Sequence, residues 1–142
     1  MIRGVGGVLI AGALTVAPAP ARAAEPIGCG PSAAGERRIS GAEVDLAWRP
    51  APAPITVGKA FSIEFAVCSR GAAPMAIDRV KVDAWMPAHR HGMNYAPTLS
   101  GAAPGPLRAD GLVFHMPGRW QVVFELRAGE RPLRLTDDLT VK

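Results

Sequence analysis

Apart from the initiator and Met75, every histidine and methionine of this 142-residue chain falls in one of two short segments. The first reads Met86-Pro-Ala-His-Arg-His-Gly-Met-Asn-Tyr95 and holds His89, His91 and Met93. The second is Phe114-His-Met-Pro-Gly and holds His115 and Met116. Imidazole nitrogen suits copper, zinc and nickel, whereas thioether sulfur selects Cu(I) and is a poor zinc ligand. A mixed set therefore points to copper, with Cu(I) preferred and Cu(II) as the second state. The candidate ligands are His89, His91, Met93, His115 and Met116. Met86, directly after Trp85, reads first as core filler, the usual duty of methionine. In an extended chain residues i and i+2 share a face, roughly 7 Å apart at Cα. That spacing would let His89, His91 and Met93 lie on one side, with His115 arriving from elsewhere in the fold. Singly, each of these residues reads as structural; the clustering carries the metal reading.

The elements that must position these segments are strands. Val44, Leu46 and Trp48 alternate with polar or small neighbours, and so do Phe61 to Val67, Val80 to Ala84 and Trp120 to Leu126. A period of two marks half-buried strands. Weaker strands are expected at residues 94–99, 112–115, 132–135 and 139–141, and residues 49–54, with three prolines, read as a stiff connection. Glycine and proline fill the breaks, and no helical stripe of useful length occurs. Seven or eight short strands at this spacing imply an all-β, immunoglobulin-like antiparallel sandwich. Both His/Met segments then fall at strand ends.

The N-terminus reads as a secretory signal peptide. Arg3 precedes an apolar run, Pro18 and Pro20 break it, and Ala21-Arg22-Ala23 fits a signal-peptidase site. The run is too short for a membrane span, which takes about 20 residues. The expected organisation is a leader over residues 1–23, an Ala/Gly/Pro-rich arm over 24–40 and a β-sandwich metal-binding domain over 41–142. The net charge of +4 includes Arg3 and Arg22 of the leader, and the remaining arginines are scattered. The stripe that nucleic-acid binding needs is missing. An exported chain with two cysteines favours a Cys29–Cys68 disulfide. The rival arrangement makes both thiols soft copper ligands. A lipid-modified Cys29 is disfavoured by Pro26 and by its distance from the apolar run.

The run Trp85-Met-Pro-Ala-His-Arg-His-Gly-Met93, followed by Phe114-His-Met-Pro-Gly-Arg-Trp120, resembles the YtkA-like (FixH-related) domain over residues 41–142. His89 and His91 match that family's His-x-His, and Met116, Gly118 and Trp120 match its Met-x-Gly-x-Trp. The resemblance implies an exported or membrane-anchored sandwich associated with copper handling and cytochrome oxidase assembly. FixH-type members keep a transmembrane anchor, whereas this chain is expected to lose its apolar segment on cleavage.

The function expected is a periplasmic or secreted copper-binding protein, a buffer or carrier serving oxidase assembly or copper tolerance. Its partners would be the ion and a periplasmic copper donor or acceptor protein. The alternative is a structural or partner-binding sandwich with an incidental His/Met cluster. No catalytic role is expected: His-Glu-x-x-His and Gly-x-Ser-x-Gly are both missing.

Overall fold

The structure is a computed structural model describing residues 27–33 and 35–142; the signal-peptide reading lies outside the described residues. Nine strands follow in order: β1 (Arg37–Ser40), β2 (Val44–Ala51), β3 (Ala60–Ser69), β4 (Arg79–Met86), β5 (His91–Gly92), β6 (Thr98–Gly101), β7 (Leu107–Val113), β8 (Gly118–Ala128) and β9 (Arg131–Val141). They form two antiparallel sheets, one ordered β1-β2-β3-β7-β6 and the other β5-β4-β8-β9, so the chain is the expected all-β sandwich. Among the described residues no helix is long and apolar enough to cross a membrane.

The alternating residues turn their apolar set inward. Trp48 and Phe65 from the five-stranded sheet meet Phe124 from the other, with ring centroids 6.0 and 5.3 Å away. Val82, Phe61 and Trp120 are buried in the same core. At the edge where β1 and β9 meet, Asp137 of β9 accepts from the Trp48 indole N–H at 3.0 Å and from Arg37 Nε at 2.7 Å. A carboxylate thus joins the two sheets.

Strand boundaries differ from expectation where polar residues interrupt the period. The two segments expected at 132–135 and 139–141 are one strand, β9, paired with β8 along its whole length. Thr136, Asp137 and Asp138 are tolerated there because β9 is an edge strand of its sheet. The strand expected at 112–115 is β7 and starts at Leu107. The last four residues of the expected arm form β1. Before it, Cys29 and Cys68 form the disulfide, with Cα atoms 5.5 Å apart. Ile27 packs on the neighbouring Ala47 and Ala66 of β2 and β3.

A bulge in β7 sets the direction of the residues after it. Phe61 pairs with Leu112 and Ser62 with Asp110, so Gly111 is the extra residue. Its φ of +87° is one that glycine adopts without strain. Buried positions run Leu107, Ala109, then Leu112 and Phe114. Without the extra residue, position 115 would share the inward phase of 107 and 109. With it, Phe114 enters the core and His115 is exposed.

Phe65 has no exposed surface and contacts both sheets. Phe65→Ala is expected to cost roughly 3–5 kcal/mol by transfer loss and cavity formation. Urea unfolding measures this; a loss under about 1 kcal/mol would contradict the packing described.

Candidate metal site

The two His/Met segments become neighbours at one end of the sandwich. The first is the turn between β4 and β5. The Met86 carbonyl accepts from the N–H of both His89 (3.1 Å) and Arg90 (3.0 Å), and Met86 pairs with His91 across the closed turn. Arg90 takes the left-handed conformation, φ 55°. The chain is therefore turned, not extended, at His89, and the expected i, i+2 alignment of His89 with His91 does not occur. Met93 donates its N–H to Ala84 O at 3.2 Å, so pairing runs one residue past β5. Paired residues share a face, which places His91 and Met93 on the inward side with Met86 and Ala84.

The second segment is the loop that carries the chain from β7 in one sheet to β8 in the other. Phe114 is buried, His115 exposed and Met116 half-buried. The Phe114 carbonyl accepts from Gly58 N at 2.8 Å. Trp120, fully buried, donates its indole N–H to the Met116 carbonyl at 3.0 Å and stacks on Phe114 at 4.5 Å and 9°. The loop is thereby held from both sheets.

The rings of His91 and His115 are 5.0 Å apart between centroids, and those of His89 and His91 are 5.8 Å apart. Both His91 and His115 meet Trp120 edge-on, at 6.1 and 5.4 Å. Two imidazoles that bind one ion through nitrogens at about 2.0–2.1 Å have centroids roughly 5–6 Å apart. Both histidine pairs have that separation. Among the described residues none of the three imidazoles is hydrogen-bonded to a carboxylate. The polar contact of His91 is Nδ1 to Gly92 O at 3.4 Å. Also among the described residues, no three His, Cys, Asp or Glu side chains form a group able to hold an ion by themselves. Closing a site therefore takes thioether sulfur, or rotation of the exposed His89 and His115.

Met86 is nearer to this cluster than its sequence position suggests. It is 2% exposed and is the register mate of His91. Its methyl also abuts Gly118, where a Cβ would come within 2.7 Å of Met86 Cε. The glycine of the second motif thus makes room for the methionine of the first. The alternation of β4 assigns Met86 to the core, and only the hairpin register reveals that it faces His91. Trp120 was likewise readable as core, while its hydrogen bond to the loop that carries His115 had no signal in the sequence.

The fold and the rim define a class: a small all-β sandwich carrying histidines and methionines on two loops at one end. Residues 36–125 match the YtkA-like family, and the chain belongs to that family. No curated protein matches the chain. Among solved structures, a DUF4426 family protein from Pseudomonas aeruginosa PAO1 is similar at a TM-score of 0.53 and 10% identity, over 75% of this chain and 94% of that one. A copper-bound variant of FetP from uropathogenic Escherichia coli strain F11 is similar at a TM-score of 0.49 and 9% identity, over 75% of this chain and 95% of FetP. The first of these shows a shared fold.

Gly118 has φ +126° as well as the Met86 methyl beside it. Gly118→Ala is expected to cost about 1–3 kcal/mol, from backbone strain more than from the flexible Met86 end. Comparing Gly118→Ala in the parent and in a Met86→Ala background separates the two. If the cost disappears in that background, the methyl contact and not the backbone is responsible.

Proposed function

We propose that this protein is an exported copper carrier and that it performs no chemical step on its cargo. The observation that supports this best is the meeting of His91 and His115 at 5.0 Å from two separate loops, with Met116 beside one and the register mate Met86 beside the other. A pair of imidazoles with nearby thioethers is a donor set for copper, softer than zinc prefers. His91 would anchor the ion. His89, His115, Met93 and Met116 would complete the coordination as oxidation state requires. Exposed ligands on two loops of a rigid sandwich can be exchanged one at a time, which suits delivery to a periplasmic acceptor protein. The Cys29–Cys68 disulfide supports export, because such bonds persist in oxidising compartments. It also leaves neither sulfur as a thiolate ligand.

The test is a titration with Cu(I) and Cu(II), with X-ray absorption counting nitrogen and sulfur neighbours. His91→Ala is expected to weaken both ions by at least about tenfold. Met116→Leu and Met93→Leu keep bulk but remove sulfur, so they should weaken Cu(I) far more than Cu(II). Unchanged copper affinity in the His89→Ala/His91→Ala double variant would end the copper reading and leave imidazoles that only pack around Trp120.

Acidification supplies a second check. Protons compete with copper for imidazole nitrogen, since only the neutral ring ligates. Affinity should therefore fall with pH in the parent. A pH-independent affinity would mean that the ion is held without histidine.

A further inference from the structure

At the opposite end of the four-stranded sheet, three arginines have no ion pair among the described residues. Seven arginines among the described residues hold a carboxylate: Arg37 grips Asp137, Arg49 and Arg108 share Glu64, and four others are likewise paired. Four have no ion pair among the described residues. One is Arg90 in the His/Met turn. The other three, Arg79, Arg127 and Arg134, line a single cleft of about 820 Å³.

Their placement is fixed by register. Arg79 of β4 and Arg127 of β8 are direct cross-strand partners, so their side chains leave the same face together. Like charges in that relation destabilise a sheet. Arg134 of β9 is the partner of Glu125 one step along. The acids in the cleft are already engaged. Glu125 lies 3.7 Å from Lys81 Nζ, which Asp83 also holds at 3.2 Å. The hydrogen bond and charge of Asp83, with the charge of Glu125, keep Lys81 above the usual lysine range. Asp78 accepts from Gly129 N at 3.1 Å. Three guanidinium groups therefore line the cleft with no ion pair among the described residues. The apolar surface on this face is Pro132 and the aliphatic stems of the long charged side chains; Val80, Leu126 and Leu133 alternate with them and turn toward the core.

We infer that this cleft binds an amphiphilic organic anion, with a phosphate or carboxylate head across Arg79, Arg127 and Arg134 and an apolar body over Pro132 and the aliphatic stems of the arginine side chains. Guanidinium groups bind such heads with paired, charge-assisted hydrogen bonds. The volume lies within the range of small-ligand sites, about 300–1,000 Å³. Arg79 and Met86 stand at the two ends of the eight-residue β4, roughly 23 Å apart along an extended strand. The anion would therefore sit at the far end of the sheet from the His/Met loops, and the inference does not depend on copper binding. The head could belong to a free metabolite or to a lipid.

Calorimetric titration of the purified protein with decyl phosphate, below its micelle concentration, tests this. Saturable binding is expected, weakened by added salt and by at least about tenfold in Arg79→Gln/Arg127→Gln. Arg134→Gln, which leaves the facing pair intact, should weaken it by a smaller factor. With no ligand present, the double variant should melt no lower than the parent, because it loses a repulsive pair. Uncharged decyl maltoside should not bind. Vesicles rich in phosphatidylglycerol distinguish the sources: retention by the parent and not by the double variant assigns the head to a lipid, and decyl phosphate binding without vesicle retention assigns it to a free anion. No saturable binding of decyl phosphate, equal affinity in the folded variants, or equal binding of decyl maltoside would each overturn the proposal.

Discussion

The fully buried Trp120 is the point on which both the core and the His/Met rim depend. An indole N–H shut away from water must find an acceptor or cost about 1–3 kcal/mol. Trp120 finds it in the Met116 carbonyl, on the loop that crosses between sheets. Satisfying one donor in the core therefore fixes the path of the loop that carries His115. Phe114, on the same loop, stacks on the indole and meets Phe61 of β3 at 4.9 Å. An aromatic column thus runs from one sheet to the other, and the imidazoles of His91 and His115 rest edge-on against its end. The backbone positions from which the two rings project are inherited from hydrophobic packing.

The other buried tryptophan near a sheet edge, Trp48, solves the same problem differently. Its N–H goes to the Asp137 carboxylate, which Arg37 neutralises while its guanidinium carbon stands 5.5 Å from the indole ring. A backbone acceptor serves at the His/Met rim and a charged one at the closed edge. The contrast is physical. A carboxylate close to the His/Met loops would have added a hard oxygen donor, whereas a backbone carbonyl already committed to an N–H adds none. For the proposed copper site, that choice of acceptor would keep the donor set soft.

Much of this was legible in the chain. The four strongly alternating strands could be read because each has one face in the core and one in solvent. Their register brought Trp120, Phe124, Phe61, Phe65 and Val82 into one core. The disulfide was readable from the even cysteine count. What was not legible depended on contacts between distant segments. The change of spacing from Leu107 and Ala109 to Leu112 and Phe114 is visible once a bulge is suspected, but Gly111 alone could equally have ended the strand. The extended geometry assigned to His89 and His91 was wrong because the Met86 carbonyl captures two N–H groups and turns the chain. Nothing in Arg90 announces a positive φ. Met86 was read as core, and its burial agrees; its closeness to His91 follows from a hairpin register that composition does not encode.

The turn at Arg90 has a further consequence for how the rim would handle an ion. A non-glycine residue in the left-handed region costs on the order of 1 kcal/mol, and the chain accepts that cost between two candidate ligands. In an extended strand His89 and His91 would project side by side as a fixed pair. In the turned chain His91 is held against Trp120 and Met86 by register and packing, while His89 stands exposed on the turn. His115 is exposed in the same way on the facing loop. One imidazole is thus set by the core, and two from different loops are free to rotate toward it or away. A site assembled from one fixed ligand and several mobile ones holds an ion less rigidly than a closed tetrahedral centre does. It also offers a partner protein successive points at which to replace a ligand. In the proposed carrier that asymmetry would favour transfer over permanent storage, and it arises from the same hydrogen bonds that close the hairpin.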